Sequence, residues 1–282
     1  EKCVRTCHSF KNWLIKILHK KLDSTHYSII LTIFDAILLG TLQGLTEFLP
    51  ISSSGHLVLG QTFLGIKQPG NEFEILVHLG TLACILIIFF QDIKSIIQSI
   101  SDRKTQRFVL FLFTGTLPAV LIGLGFKDFL GGLFENPKAV SGALLFTGMV
   151  LFTSVFSNEK AGSRTYLQGL LIGCAQAVAI IPGISRSGMT ICTGLFLGLR
   201  PHEAARISFL LAIPAISGAG LLTALDMPTG SSLSMGAVLG GLLSSFIVGV
   251  LALKWLLGWL EKGQLHWFGF YCFIFGTLTL IF

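Results

Sequence analysis

Charge is scarce in this sequence. Only 12% of its 282 residues are Asp, Glu, Lys or Arg, against roughly 25% in an ordinary soluble domain. A chain so poor in charge cannot cover a water-facing surface, which excludes a soluble enzyme. A basic domain set beside aromatic platforms is also missing. The 20 Lys and Arg against 14 Asp and Glu leave a net charge of +6, but they are scattered through short connections and one N-terminal stretch. That pattern argues against nucleic acid and for anionic lipid headgroups. Cysteine is sparse and unpatterned: the six, at 3, 7, 84, 174, 192 and 272, form neither metal-ligand pairs nor a disulfide framework, and four sit within apolar runs, so they read as packing residues. No G-x-S-x-G elbow occurs, which disfavours lipase-like acyl transfer.

What is present is apolar. Hydrophobic residues make up 52% of the chain and 24 are Phe; the mean hydropathy is +0.78. At about 20 residues per crossing the length accommodates many spans, so the fold class is an all-α polytopic membrane protein. Residues 1–27 carry Lys2, Arg5, Lys11, Lys16, Lys20 and Lys21 against Glu1 and Asp23, with Trp13, Leu14, Ile17, Leu18 and Leu22 at helical spacing. This reads as an amphipathic helix lying in the membrane interface. A cleaved signal peptide fits less well, because the apolar run that follows continues directly into a motif-bearing segment. The first residue is Glu1, so the natural beginning is expected to lie upstream. Six transmembrane helices are expected at 75–90, 108–126, 139–156, 205–225, 234–257 and 267–282.

Two further segments do not read as simple spans. The run from Ser28 to Leu49 stops at Pro50, passes through Ile51-Ser52-Ser53-Ser54-Gly55-His56 and resumes as Leu57 to Leu64. The run from Tyr166 to Ile181 stops at Pro182, passes through Gly183-Ile184-Ser185-Arg186-Ser187-Gly188 and resumes as Met189 to Leu199. Gly40-x-x-Gln43 before one break matches Gly173-x-x-Gln176 before the other, and each break is followed by three apolar spans. The chain therefore reads as a tandem repeat, 28–157 and 166–282. Ordinary surface loops between ten full spans would need the second arms to cross the bilayer, and those arms reach only about 12 and 16 Å at 1.5 Å per residue. If each broken segment instead returns to the side it left, three crossings separate the two. The second then enters from the opposite face, giving two re-entrant helix pairs in an inverted-topology repeat whose polar tips meet near the midplane. The connection 91–107 carries +2, and 158–165 and 200–206 carry +1 each, whereas 127–137 and 226–233 carry −1 each. The positive-inside rule puts the first group in the cytoplasm. The N-terminal stretch, at +4, conflicts with that orientation.

Polar side chains in these breaks face a steep desolvation penalty, which marks them as functional candidates. Gln43 and Glu47 are four apart, hence on one helix face, and Glu47 requires His56, Arg186 or a metal ion to remain charged. Ser53 and His56 are three apart. With Glu47 they supply nucleophile, base and orienting acid, a weak signal on spacing alone. The other histidines, His78 among them, read as interfacial or packing residues. Arg186 is the most specific feature: its planar fork suits phosphate oxygens, and Gly183, Ser185, Ser187 and Gly188 precede a helix N-terminus, with Thr190 in its first turn. The candidate catalytic set is Ser53, His56, Glu47 and Arg186. The candidate substrate-binding set is Gln43, Ser52, Ser54, Gln176, Gly183, Ser185, Ser187 and Thr190. An anion site joined to Ser, His and Glu fits phosphoryl transfer better than transport. A secondary transporter or lipid flippase, a phosphatase for other lipid diphosphates, and a lipid-binding scaffold remain as alternatives.

The two stretches Gln43-Gly44-Leu45-Thr46-Glu47-Phe48-Leu49-Pro50-Ile51-Ser52-Ser53-Ser54-Gly55-His56 and Pro182-Gly183-Ile184-Ser185-Arg186-Ser187-Gly188-Met189-Thr190 resemble the signature motifs of the undecaprenyl-diphosphate phosphatase family, integral membrane enzymes of the bacitracin-resistance type. The resemblance covers about residues 30–282. It implies a bacterial inner- or plasma-membrane enzyme that hydrolyses undecaprenyl diphosphate to undecaprenyl phosphate and inorganic phosphate, recycling the lipid carrier of cell-wall synthesis. It also implies a site open to the extracytoplasmic side. Carried onto this sequence, the family roles make Glu47 an acidic site residue, Ser53 a candidate nucleophile, His56 a catalytic histidine and Arg186 the diphosphate-binding arginine. The family has Glu or Gln where this chain has Gln43, and Gln weakens any mechanism needing two carboxylates. Stimulation of family members by divalent cations implies Mg²⁺ or Ca²⁺ bridging the diphosphate and Glu47. The expected partners are the polyprenyl diphosphate lipid, membrane lipids and, as an open option, a second copy in a homodimer.

Overall fold

A computed structural model of the protein describes residues 31–66, 72–157, 165–225 and 233–281; the amphipathic segment expected at 1–27 lies outside them. Among the described residues all regular structure is helical: α1 (Ile33–Phe48), α2 (Ser53–Leu64), α3 (Glu72–Ile88), α4 (Phe90–Gln98), α5 (Arg103–Gly125), α6 (Lys127–Phe134), α7 (Pro137–Thr153) with a 3₁₀ turn at Ser154–Phe156, α8 (Tyr166–Val178), α9 (Arg186–Phe196), α10 (Pro201–Leu225), α11 (Met235–Leu260) and α12 (His266–Ile281). Four of these helical stretches are long and apolar enough to cross a membrane: Arg103–Gly125, Pro137–Phe156, Pro201–Leu222 and Met235–Leu260. A fifth is reached if α3 and α4, bent by 65° at Phe89, count as one. Helices occupy all six expected ranges, but α12, with 16 residues, falls short of the length that crosses unaided. The chain is thus an all-α multi-pass membrane protein, with four to five candidate spans among the described residues.

Two helices lie where only connections were expected. In α4 the apolar Ile93, Ile96 and Ile97 fall on one face and Asp92, Lys94 and Gln98 on others, and none of its residues is buried. Such a helix suits the edge of a bilayer rather than its interior. The eight residues of α6 form the corresponding short helix before α7.

The two broken segments are helical hairpins. Thr32 caps α1 in a reciprocal box with Asp35, and the chain stops being helical at Leu49 because the residue before Pro50 is pushed into the extended region. Ser52, at φ 69°, is the one non-glycine residue with positive φ among those described. It turns the backbone sharply and caps α2 by accepting from Gly55 N. α2 then runs back along α1, with Gly60 against Leu42 and Leu39. In the second hairpin Thr165 and Gln168 form the box that starts α8. Gln168 Nε2 reaches the carbonyl of Leu197 at the far end of α9, so this hairpin also closes on its own origin.

Each outer arm docks where the chain is stripped of side chains. A Cβ on Gly40 or Gly44 of α1 would lie 2.5 Å from the carbonyl oxygen of Gly241 or Ser245 on α11. A Cβ on Gly169 or Gly173 of α8 would lie 2.8 Å or 2.5 Å from the carbonyl of Phe111 or Gly115 on α5. Two small-x-x-x-small stripes thus bring backbones into direct contact, the arrangement by which helices associate when lipid supplies no hydrophobic driving force. The largest core cluster, built on Phe48, Phe89, Phe111, Phe209 and Leu253, fills the space between the hairpins and α3, α5, α10 and α11.

Candidate active site

Glu47, 7% exposed, sits at the centre of the polar contacts between the hairpins. Its Oε2 accepts from Gln43 Nε2 at 2.9 Å and from Ser53 Oγ at 2.6 Å. Its Oε1 accepts from Arg186 Nη2 of the second hairpin. A lone carboxylate could not remain ionised in such a setting, and this one is held by a guanidinium, an amide and a hydroxyl. His78 of α3 adds its Nε2 at 3.7 Å from Oε2. The His78 Nδ1 lies 2.6 Å from the carbonyl of Glu74, and since a carbonyl only accepts, Nδ1 carries a hydrogen. The lone pair of a neutral ring is therefore on the nitrogen that faces Glu47.

The two tips are built alike. Ser52 caps α2 through Gly55 N, and Ser185 caps α9 through Gly188 N. Ser52 pairs with the Ser54 hydroxyl at 3.3 Å, and Ser185 with that of Ser187 at 3.2 Å. Ser53 and Arg186 consequently occupy the same first position of their helices, and both donate to Glu47. The tips also touch. Gly55 lies so close to Gly183 that a Cβ there would be 3.0 Å from the Gly183 Cα. The Ser187 hydroxyl donates to the Leu49 carbonyl across the junction. Gly183 adopts φ +94°, where a side chain would be strained and would also strike the Val140 carbonyl.

One expected arrangement is overturned. His56 is not oriented by Glu47 and does not meet Ser53: its Nδ1 donates to the Ser52 carbonyl at 2.8 Å, and its Nε2 lies 2.8 Å from the Tyr271 hydroxyl. The ring stacks on Phe275 at 4.7 Å and on Tyr271 at 5.6 Å. Three residues on from Ser53, helical geometry and the apolar face of α12 turn the imidazole toward the rings, while Ser53 turns toward α1. The base nearest to Ser53 is Glu47 itself.

The remaining candidates divide between tip construction and open polar groups. The hydroxyls of Ser52, Ser54, Ser185 and Ser187 are engaged in the caps and the tip contacts just described. Thr190 donates to the Arg186 carbonyl and shares a 2.7 Å contact with the Ser208 hydroxyl. Gly183 contributes its carbonyl to Thr147. Gln176, 2% exposed, has no hydrogen-bond partner at either amide atom, and Gln43 Oε1 is also buried without one. Three residues outside the expected set belong to the site: His78, Tyr271 and Thr147, whose hydroxyl bridges the Gly183 carbonyl and the Ser185 amide just ahead of Arg186. The sequence signal for His78 was a histidine inside an apolar run. Tyr271 and Thr147 had none, because both act across the fold.

Among the described residues no three His, Cys, Asp or Glu side chains cluster as a metal centre. Glu47 and the unpaired Gln43 Oε1 nevertheless offer a carboxylate and a neutral oxygen on adjoining groups. That donor set fits a hard cation whose other ligands are water and phosphate oxygens.

Comparison with known proteins gives the family. The model described as "Bacitracin resistance protein BacA" matches residues 36–278. The chain is 42% identical over 252 residues to the undecaprenyl-diphosphatase of Syntrophotalea carbinolica, covering 86% of this chain and 96% of that one. It is 43% identical over 262 residues to the undecaprenyl-diphosphatase of Carboxydothermus hydrogenoformans, covering 88% and 96%. To that of Desulforapulum autotrophicum it is 40% identical over 270 residues, covering 88% and 98%. With both motifs and every described helix, save the first residues of α1 and the last of α12, inside the matched region, the chain belongs to the bacitracin resistance protein BacA family.

Proposed function

We propose that this protein hydrolyses undecaprenyl diphosphate to undecaprenyl phosphate and inorganic phosphate within the cell membrane, returning the lipid carrier to cell-wall synthesis. The observation that carries this reading is the convergence of Ser53 from one hairpin and Arg186 from the other on the single carboxylate of Glu47. Relatives that share most of the chain bear the name of that activity. A diphosphate is a stronger competitor for a guanidinium than one carboxylate, because it presents more charge and paired oxygens. When Arg186 leaves Oε1 for the phosphates, the carboxylate loses its cationic partner, and Oε2, already bonded to the Ser53 hydroxyl, takes the Ser53 proton. Ser53 Oγ then bonds to the terminal phosphorus, the bridging P–O bond breaks, and undecaprenyl phosphate leaves with the electron pair. Water next bonds to the phosphoserine phosphorus, Ser53 Oγ departs, and the proton on Glu47 returns to it. In the rival version water attacks the diphosphate directly and Ser53 only binds it. Fixed donors such as Arg186 and the tip amides stabilise the charge spread over the phosphoryl oxygens.

The residues suited to a divalent cation are Glu47 and Gln43, and Mg²⁺ or Ca²⁺ there would neutralise phosphate charge. The apolar faces between helices take the polyprenyl tail. The finer architecture follows the same logic: six spans, two re-entrant pairs and an inverted repeat of 28–157 and 166–282. It is supported by the exchange in which α1 packs on α11 of the second half and α8 on α5 of the first. Positive connections at 91–107 and 158–165 favour placing these ends in the cytoplasm, and the resemblance to the family implies a site open to the other side. The test is phosphate release from purified protein with C15 and C55 polyprenyl diphosphates, with and without chelator. The expected result is release from both, slowed by chelator and restored by Mg²⁺ or Ca²⁺. Substrate-coupled flux across liposomes without phosphate release would establish a transporter instead.

A further inference from the structure

His56 has both ring nitrogens engaged, and its second partner comes from the far end of the chain. Its Nδ1 carries a hydrogen because it faces the Ser52 carbonyl at 2.8 Å, so a neutral ring has its lone pair on Nε2. The group 2.8 Å from Nε2 is the Tyr271 hydroxyl, which must then be the donor. His56 is 3% exposed and has no access of its own to a reacting molecule, whereas Tyr271 is 40% exposed. The geometry is held from two sides, by the stack on Phe275 and by Tyr271 itself, whose ring lies 14° from the imidazole plane. α12 is in turn fixed against α7, with Gly269 backbone against Gly148 and the Ser141 hydroxyl donating to Thr279. A hydroxyl that donates to a buried base from a partly exposed residue has the bonding of a proton relay.

We propose that Tyr271 is a catalytic residue through which His56 acts. The phenol oxygen takes a proton from the attacking water while its own proton passes to His56 Nε2; the water oxygen bonds to phosphorus as the bond from phosphorus to the leaving oxygen, that of undecaprenyl phosphate or of Ser53, breaks and its electron pair goes with that oxygen. This leaves Tyr271 neutral and His56 protonated until the proton returns to solvent by the same path. The inference rests on the hydrolytic reading above. It applies whether water attacks the diphosphate or a phosphoserine, because either attack releases one proton. It also gives His56 a role that its separation from Glu47 and Ser53 otherwise denies it.

The test is Tyr271→Phe in the full-length protein, a change that keeps the ring stack and removes only the hydroxyl. Phosphate release from a C55 diphosphate is compared in wild type, Tyr271→Phe, His56→Ala and the double variant. Release by wild type establishes the hydrolytic reading separately. Under the relay, Tyr271→Phe lowers kcat about a hundredfold, the scale of general base catalysis, with KM within twofold. In the His56→Ala background the same change then has no further effect. A kcat within twofold of wild type in Tyr271→Phe would overturn the proposal, and so would an equal loss in the presence and absence of His56.

Discussion

A carboxylate buried in so apolar a chain stays charged only where opposite charge and donors reach it, and Glu47 has Arg186, Ser53 and Gln43 on its two oxygens. Glu47→Gln keeps the shape but removes the negative charge that holds Arg186 and the acceptor that takes the Ser53 proton. We expect phosphate release to fall by at least a hundredfold, on the scale of a lost general base. Glu47→Ala, which leaves the guanidinium without its partner, is expected to lower stability by about 3–5 kcal/mol as well, the penalty for breaking a buried pair. Thermal unfolding in detergent separates the two variants: Gln unfolds nearer to wild type than Ala. The sequence made Glu47, Ser53 and Arg186 visible, because polar groups in a membrane are rare and the i, i+4 rule set Gln43 beside Glu47. It gave the wrong partner to His56, since a spacing of three constrains the side of α2 and not which helix faces it. Phe275 and Tyr271, more than two hundred residues on, decide that.

At the scale of the elements, the breaks at Pro50 and Pro182 and the small-residue stripes determine where each hairpin lies. The stripes have little tolerance, because the nearest atoms to a new Cβ on Gly44 or Gly173 are backbone oxygens 2.5 Å away. Gly44→Ala and Gly173→Ala should each separate a helix pair and cost about 1–3 kcal/mol, as overpacking does. Gly218→Ala on α10, where nothing lies within 4 Å of the added atom, should leave the unfolding temperature near that of wild type. Equal unfolding temperatures for all three would show that close backbone contact is not what docks the hairpins. Hydropathy located the long helices within a few residues, because a run of Leu, Ile and Phe needs no partner to declare itself. The 65° bend at Phe89 and the helix α4 beyond it were not legible: α4 holds its isoleucines at helical spacing over only nine positions, too short a run to stand out from a connection.

Across the whole molecule, α1 lies on α11 and α8 on α5, and the two tips touch between these pairs. The internal likeness of the two motifs anticipated that meeting. What sequence likeness could not supply is the asymmetry within it. The first-position residues are Ser53 in one tip and Arg186 in the other, and the acidic side chain that receives both is present in one half only, with Ile180 standing one turn past Gln176 where Glu47 follows Gln43. An ion pair between Arg206 and Asp92, with the guanidinium over Phe108 at 5.3 Å, ties α10 to α4 and α5 away from the tips. The unequal tips thus converge on one carboxylate, that of Glu47.

A kinetic double-mutant cycle on Ser53→Ala and Arg186→Lys, read as single-turnover phosphate release from a C55 diphosphate, addresses that unity most directly. Groups acting on one transition state are strongly non-additive, so the double variant should be about as slow as the slower single variant. Losses that multiply, as for two independent sites, would contradict a shared centre.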